Sequence, residues 1–241
     1  MSAVIHLKNV HYRWRDHLPE VLSIPEWQLK QGERVFIRGA SGSGKSTLLA
    51  LLAGVIVPNN GEIHVLSQAI HQLSSSKRDH FRSDHIGFVF QQFNLIPYLS
   101  VLENVTLPCR FSTTRKSKVL SSGSALDEEA LRLLQHLDMA GNELINRPVT
   151  ELSVGQQQRV ATARALIGSP ELIIADEPTS ALDTDTRESF IKLLFQECEQ
   201  AGSSLVFVSH DQQLAALFEH QVAMSDLNQL PEEANRSKAG D

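Results

Sequence analysis

A glycine-rich segment carries the residue types that bind the phosphates of a nucleotide. It spans residues 39–47 and reads Gly-Ala-Ser-Gly-Ser-Gly-Lys-Ser-Thr. Its glycines allow successive backbone N–H groups to point inward as an anion-binding nest. Lys45 would bring a full positive charge to the β- and γ-phosphates, and the hydroxyl of Ser46 would hold Mg²⁺. The candidate nucleotide-binding residues of this loop are Gly39, Ser41, Gly42, Ser43, Gly44, Lys45, Ser46 and Thr47.

Apolar residues on both sides place this loop between a strand and a helix. Residues 35–37 precede it and residues 48–53 follow it, and both runs are apolar. The phosphate-binding motif needs this strand–loop–helix setting. The positive N-terminal end of the helix would then face the phosphates. A glycine- and serine-rich turn without a ligand is the alternative, and this setting disfavours it.

An acidic pair follows a second apolar run far along the chain. Residues 172–175 read Leu-Ile-Ile-Ala and lead directly into Asp176 and Glu177. Beside a phosphate-binding loop, Asp176 would hold Mg²⁺ through water. Glu177 would polarise the attacking water as a general base. The alternative is an acidic pair that caps a helix, but the apolar strand before it favours hydrolysis of a nucleoside triphosphate.

Composition restricts the class of protein. The chain has 241 residues, of which 41% are hydrophobic and 21% charged, as in an ordinary globular protein. The net charge of −6 disfavours binding to nucleic acid. Cys109 and Cys198 predict a reducing compartment without a disulfide framework. No signal peptide is read, and the longest apolar run, residues 48–57, is too short to span a bilayer, so a membrane role would need a partner.

Short apolar strands that alternate with amphipathic helices predict an α/β fold with a largely parallel sheet. Spacing typical of a capping box predicts a helix that starts at Ser100, and Asp127 is a candidate N-cap for the next helix. A further helix is expected from Thr184 to about Gln200, ended by Gly202. Predicted strands lie at residues 4–10, 34–38, 62–66, 86–90, 172–175, 205–209 and 221–225.

Two polar segments are expected to lack a role in the core. Residues 112–124 are basic and rich in turn-forming residues, so they predict a surface loop, with a basic contact to a membrane surface as the less favoured alternative. Residues 231–241 predict a disordered tail.

These motifs and their order resemble the ATP-binding subunit of an ABC transporter, over roughly residues 4–230. Residues 152–161, which read Leu-Ser-Val-Gly-Gln-Gln-Gln-Arg-Val-Ala, look like the family's signature and the helix after it. Residues 180–183 look like its D-loop. The single residues that match family positions are Trp14 at the A-loop, with Tyr12 as the alternative, Gln91 at the Q-loop, Asp176 and Glu177 at the Walker B end, and His210 at the switch.

The resemblance also implies a role for each matching residue. Ser153, Gly155 and Gln156 of the signature would bind the nucleotide held by a second copy of the chain. Gln91 would contact Mg²⁺ or the attacking water, and His210 would contact the γ-phosphate. Remaining implied roles are adenine stacking by Trp14 and a dimer-interface contact by Asp183.

The fold implied by the resemblance is that of a P-loop NTPase. A RecA-like core with an antiparallel β subdomain would comprise residues 1–92 and 165–230, with a helical subdomain inserted at about 93–164. Two copies, head to tail, would enclose two ATP molecules. The amino-acid sequence around the Q-loop is similar to that of the branch of lipoprotein-releasing, macrolide-exporting and cell-division ATPases. That branch implies an integral membrane permease as partner and a place on the cytoplasmic face of the inner membrane.

One departure and two alternatives accompany the resemblance. Val154 stands where the signature usually has glycine, and a β-branched residue does not readily take a positive φ. A soluble ABC ATPase without a membrane partner is the alternative function, although the sequence has neither two modules nor sustained heptads. A nucleotide-binding scaffold that does not hydrolyse ATP is opposed by the presence of four residues together, Lys45, Asp176, Glu177 and His210. Within the apolar run 93–99, Tyr98 and Leu99 are the residues expected to face a partner.

Overall fold

The chain divides into two units. The described parts of Met1–Asp79 and Phe207–Asp241 form the first unit, and the described part of His80–Val206 forms the second. The computed structural model describes residues 3–139, 144–180, 182 and 184–230. The predicted tail, residues 231–241, lies outside the described residues.

Strands and helices alternate along the described chain, which confirms the predicted α/β class. All predicted strands overlap observed strands. The strands are β1 (Ala3–Tyr12), β2 (Leu22–Lys30), β3 (Arg34–Arg38), β4 (Asn60–Val65), β5 (Gln68–Ala69), β6 (Ile86–Val89), β7 (Leu172–Asp176), β8 (Ser204–Val208) and β9 (His220–Ala223). The helices are α1 (Lys45–Leu52), α2 (Ser75–His85), α3 (Val101–Thr106), α4 (Pro108–Phe111), α5 (Thr113–Ser121), α6 (Leu126–His136), α7 (Val154–Leu166), α8 (Thr184–Ala201), α9 (Gln212–Ala215) and α10 (Met224–Leu227).

An antiparallel sheet of the first unit buries one of its faces. Its strand order is β2-β1-β4-β5, and the register of β1 on β2 pairs Val10 with Ile24. Ile5 and Leu7 of β1 are fully buried, whereas Lys8 is exposed. Because successive side chains of a strand point to opposite faces, this alternation directs the apolar residues to the core.

β2 was not predicted from the sequence. Pro25 and the exposed polar residue Glu26 interrupt its apolar pattern. The strand lies at the edge of the antiparallel sheet, where a residue without an N–H group does not break the ladder. A proline therefore marks this strand as an edge strand rather than excluding it.

Parallel strand pairs occur in both units. In the first unit, β3 pairs with β9, and Phe36 of β3 packs against Phe218, with ring centroids 5.3 Å apart. In the second unit, β6 pairs with β7, so that Ile86 lies opposite Leu172. Gly87 of β6 has no room for a side chain, since a Cβ there would collide with a backbone carbonyl of α7. The strand and the helix therefore pack backbone to backbone.

The prediction of a surface loop at residues 112–124 is wrong. Most of it is α5, and the side chain of Ser112 caps that helix by accepting a hydrogen bond from the Arg115 N–H at 3.0 Å. Arg115 and Val119, one turn apart, are buried. The polar composition misled because a long arginine side chain serves here as a core residue.

Other helix boundaries are closer to expectation. α3 has the predicted capping box, in which the Ser100 hydroxyl accepts from the Glu103 N–H and the Glu103 carboxylate accepts from the Ser100 N–H. α8 ends where Gly202 takes a φ of +65°. The prediction that Asp127 caps α6 is wrong, because α6 begins at Leu126 and Asp127 lies in its first turn.

Helices α3 to α7 lie between β6 and β7 in chain order. The predicted helical subdomain, about 93–164, covers most of this stretch. Its division from a core of residues 1–92 and 165–230 stays a prediction. Among the described helices, none has the length and apolar character needed to cross a membrane.

Candidate functional site

The glycine-rich loop runs from the end of β3 into α1. Gly44 is the N-cap of α1 and has a φ of +98°, and Gly42 has a φ of +76°. A Cβ at Gly44 would lie 2.8 Å from a methyl group of Leu22, and one at Gly39 would lie 2.7 Å from the Ser43 hydroxyl. Left-handed backbone and close approach together require glycine in this loop.

Lys45 and Ser43 each place a polar group at the glycine-rich loop. The Lys45 ammonium donates hydrogen bonds to the carbonyls of Gly39 at 2.7 Å and Ala40 at 2.9 Å. The Ser43 hydroxyl is buried and has no hydrogen-bond partner among the described residues. A buried hydroxyl without a partner costs free energy, which a phosphate oxygen would recover. The loop therefore fits a phosphate group.

His210 lies in the same cleft as this loop. The cleft has a volume of about 600 Å³, and all of its lining residues belong to the first unit. His210 follows β8 and is exposed, and the next residue, Asp211, caps α9 through the Gln213 N–H at 3.0 Å. The residues that line the cleft are Arg38, Gly39, Ala40, Gly42, Ser43, His210, Gln212, Ala223, Met224, Ser225, Asn228 and Leu230.

Asn228 supports the loop from the carboxyl-terminal end of the described chain. Its side-chain oxygen accepts from the Ser23 N–H at 2.7 Å, and its side-chain NH₂ donates to the carbonyl of Val21 at 2.9 Å. The same NH₂ group lies 3.5 Å from the Ser43 carbonyl. Asn228 was not predicted from the sequence, because its partners are roughly 200 residues away in the chain and it belongs to no recognised motif.

Trp14 and Tyr12 differ in their availability to a nucleotide base. Trp14 is 56% exposed, whereas Tyr12 is 7% exposed, and their rings meet edge to face at 5.2 Å. Burial also raises the pKa of the Tyr12 hydroxyl. Of the two aromatic residues that the sequence offered, only Trp14 presents a free face to solvent.

The acidic pair lies at the end of β7 in the second unit. Asp176 is the last residue of the strand and is half-buried. Glu177 is buried and has a φ of +48°. A glutamate seldom adopts this left-handed conformation, which persists only when surrounding contacts enforce it. The Ser180 N–H donates to the Glu177 carbonyl at 3.2 Å and closes the turn that follows.

Ser153 caps the helix that carries the rest of the signature. Its hydroxyl accepts from the Gln156 N–H at 3.3 Å, and the Gln156 side chain accepts from the Ser153 N–H at 2.9 Å. Val154 is the first residue of α7, with helical backbone and 53% exposure. The position does not demand a positive φ, so valine creates no strain there. Gly155 has room for a Cβ, whose nearest neighbour would be Leu182 at 3.5 Å.

The turn after Gln91 is unusual in its backbone. Gln91 follows β6 and is exposed. Phe93 and Asn94 have φ values of +57° and +49°. Their carbonyls accept hydrogen bonds from Arg164 of α7, at 2.5 Å and 2.7 Å. Burial lowers the pKa of the Arg164 guanidinium to about 10.

The predicted site residues fall into one group in each unit. The phosphate-binding loop, Trp14 and His210 belong to the first unit, and Gln91, Ser153, Asp176 and Glu177 belong to the second. Asp183 lies outside the described residues. Arg164 was not singled out from the sequence, although it is a charged residue within the small apolar run Ala161–Leu166 of α7.

Comparison with known proteins identifies a family. The family model described as ABC transporter matches residues 22–180. MJ0796 of Methanocaldococcus jannaschii, an uncharacterized ABC transporter ATP-binding protein, is 41% identical over 92% of this chain and 94% of its own. LolD of Shewanella denitrificans, the ATP-binding protein of a lipoprotein-releasing system, is 39% identical over 86% of this chain and 85% of its own.

A solved structure shares the fold. The dimeric structure of MJ0796 in a post-hydrolysis state, bound to ADP and Pi, superimposes with a TM-score of 0.77 at 37% identity. The match covers 91% of this chain and 93% of that one. The predicted P-loop NTPase fold and the predicted family branch are both confirmed by these relatives.

Proposed function

This chain belongs to the ABC transporter family as a subunit that binds and hydrolyses ATP, and we propose that it powers transport or mechanical work through a separate membrane permease. The observation that carries the membrane part is Tyr98, which is 83% exposed in the segment directly after Gln91. Leu99 is half-buried and contributes less. An exposed aromatic residue beside a nucleotide-sensing position is typical of a protein interface.

The nucleotide would lie on the glycine-rich loop. Lys45 would exchange its carbonyl partners for the β- and γ-phosphates, and the buried Ser43 hydroxyl would gain a partner. Trp14 would stack on the adenine. Oxygen atoms of Ser46, Gln91 and, through water, Asp176 suit a hard cation such as Mg²⁺. When bound, Mg²⁺ would offset negative charge on the phosphates.

Glu177 would act as the general base for hydrolysis. Its carboxylate would accept a proton from the attacking water as that oxygen bonds to the γ-phosphorus. The bond between the γ-phosphorus and the bridging oxygen breaks, which leaves ADP and phosphate. His210 would orient the γ-phosphate. The enforced backbone of Glu177 supports this role, because it holds the carboxylate in one direction.

A second copy of the chain would complete each site. Ser153 and Gly155 lie at the exposed start of α7, where the helix offers a positive end to an anion. We propose that they contact the nucleotide held by the other copy, head to tail, and that Gln156 supports this contact. Asp183 would lie at the same interface. The assembly would sit on the cytoplasmic face of the inner membrane through its permease.

Hydrolysis is tested with Glu177→Gln. This substitution keeps the phosphate-binding loop intact and removes the base, so ATP binding should persist while turnover falls by about 10²–10⁴-fold. Turnover is measured as phosphate release by the purified full chain at saturating ATP. Near-normal turnover would rule out Glu177 as the base.

The membrane partner is tested with Tyr98→Asp. The substitution should abolish co-purification of the chain with detergent-solubilised membrane proteins, and it should leave ATP binding by the isolated chain unchanged. Val55→Asp is the matched control, because Val55 is also exposed but belongs to the other unit. A wild-type chain that associates with no membrane protein would favour the alternative of a soluble ABC ATPase.

A further inference from the structure

The turn after Gln91 contains two consecutive residues in a conformation that neither favours. Phe93 and Asn94 both have left-handed backbone, at φ values of +57° and +49°. Asparagine, aspartate and histidine are the non-glycine residues enriched in this region, and even for them it is uncommon, whereas a phenylalanine there is an outlier. Such a conformation persists where surrounding contacts over-determine it. The contacts that enforce this turn therefore decide where Gln91 points.

Arg164 makes those contacts from the signature helix. Its two terminal nitrogens donate separately to the carbonyls of Phe93 and Asn94, at 2.5 Å and 2.7 Å. Arg164 as a whole residue is only 9% exposed. A planar guanidinium can hold two carbonyls in fixed positions at once, which a lysine ammonium cannot do with the same geometry.

Asn104 holds the far side of the same segment. It is fully buried, accepts from the Ile96 N–H at 2.8 Å, and donates to the Ile96 carbonyl at 3.1 Å and the Ser100 carbonyl at 3.0 Å. The short segment after Gln91 is thus held at Phe93 and Asn94 by Arg164 and at Ile96 by Asn104. Gln91 lies just outside the end that Arg164 holds, so Arg164 has the closer control over it.

One helix carries both Arg164 and the signature. α7 is capped by Ser153 at its start and bears Arg164 near its end, three turns later. An α-helix of this length is a stiff rod of about 20 Å. A displacement at its start is therefore carried to its far end.

We propose that Arg164 is a positioning residue that orients Gln91 and links it to the signature helix. The inference rests on the proposed function, since it assigns Gln91 to the nucleotide site. When the second copy's nucleotide engages Ser153, α7 responds as one body, and Arg164 transmits that response to the turn after Gln91. Arg164 itself contacts neither nucleotide.

The same helix supplies a matched control. Arg159 of α7 donates to the carbonyls of Leu137 at 2.8 Å and Asp138 at 2.7 Å, and Asp138 also has left-handed backbone, with a φ of +59°. Arg159 therefore also binds two backbone carbonyls, through one of its nitrogens, but at the end of α6 instead of at the turn after Gln91. A general requirement for arginine on α7 would affect both residues alike.

A double-mutant cycle tests the proposal. ATP hydrolysis by the full chain is measured for Arg164→Lys, Gln91→Ala and the double variant, with kcat and KM separated. Arg164→Lys should lower kcat about tenfold with little change in KM. The double variant should be no slower than Gln91→Ala alone, because residues that act through one another are not additive. Arg159→Lys should keep the wild-type kcat.

Losses that multiply in the double variant would overturn the proposal, as would an equal loss of kcat in Arg159→Lys. Asn94→Gly provides a rescue, because glycine adopts the left-handed region without cost and depends less on Arg164. Added to Arg164→Lys, it should restore part of the kcat that Arg164→Lys alone has lost. The comparison is made per folded molecule, so it holds even if Arg164→Lys folds poorly. No rescue there would contradict the proposal. If the wild-type chain hydrolysed no ATP, the proposed function would fail instead. The wild-type reference in the Glu177→Gln experiment detects that outcome separately.

Discussion

Asn228 joins three segments of the first unit through one side-chain amide. Its oxygen accepts from Ser23, and its NH₂ group faces the carbonyls of Val21 and Ser43. A carboxylate has no donor. Asn228→Asp would therefore keep the bond to Ser23 and turn the two contacts with the carbonyls of Val21 and Ser43 into repulsion between oxygens.

We expect Asn228→Asp to weaken ATP binding about tenfold, which corresponds to about 1.4 kcal/mol. The measurement is a titration of the full chain with a fluorescent ATP analogue. Gln229→Ala is the control, since Gln229 is adjacent and exposed. An unchanged Kd in Asn228→Asp would mean that the loop keeps its shape without Asn228.

Val154 occupies the first turn of a helix rather than a strained turn. Glycine in a helix interior costs about 1 kcal/mol relative to alanine, and less in the first turn. Val154→Gly should therefore leave the rate of ATP hydrolysis within about twofold of wild type. Phosphate release at saturating ATP measures it. A loss above tenfold would show that the valine side chain itself contacts the second copy.

At the scale of elements, Glu171 fastens α5 to the strand that ends in the acidic pair. It precedes β7 and accepts hydrogen bonds from Lys118 of α5 at 2.8 Å and from His85 at 3.0 Å. Burial would raise the pKa of Glu171, but these hydrogen bonds outweigh it and lower the pKa to about 2. The depressed pKa stabilises the folded chain at pH values above about 4.5. That stabilisation is lost as pH falls from about 4.5 towards 2.

We expect Glu171→Gln to lower the free energy of unfolding at pH 7 by about 1 kcal/mol. The pKa shift alone corresponds to about 3 kcal/mol, and partial exposure of the carboxylate reduces it through solvent screening. Urea unfolding at a series of pH values should show the difference from wild type shrinking below about pH 4.5. Glu62→Gln, at an exposed position of β4, should show no such convergence.

Contiguous signals explain what the sequence predicted. Three features depend only on residues that are adjacent in the chain: the phosphate-binding loop, the capping box at Ser100 and the strand before Asp176. A short stretch of sequence is therefore enough to predict them. α5 was missed because its buried Arg115 reads as a surface residue until its partners, the carbonyls of Ile86 and of the end of α7, are known. Arg164 and Asn228 were missed because they bind backbone carbonyls. Every residue has a carbonyl, so the sequence does not indicate which ones these side chains bind.

At the scale of the whole molecule, the proposed site needs two copies of the chain. Ser153 belongs to the signature, and Lys45 belongs to the phosphate-binding loop. In the proposed arrangement they act on the same nucleotide from different copies. A variant that binds ATP without consuming it should therefore accumulate as a dimer.

We expect Glu177→Gln to be a monomer without nucleotide and a dimer with ATP, by light scattering at high protein concentration. Adding Ser153→Ala should return it towards the monomer, because the hydroxyl that would reach the other copy's nucleotide is gone. Ser121→Ala is the control, since Ser121 is an exposed serine on α5. A strict monomer in Glu177→Gln, together with full activity of the wild type, would exclude the shared site.

The way in which Ser153 caps α7 decides what a ligand must displace. A hydroxyl has two lone pairs and one proton, and the cap to the Gln156 N–H uses only a lone pair. The proton stays available to an oxyanion, so a phosphate can arrive without unwinding the first turn. The cap also restricts rotation of the hydroxyl in advance, so little rotor entropy is left to lose. Hydrogen exchange at the Gln156 amide should accordingly stay slow whether or not nucleotide is bound.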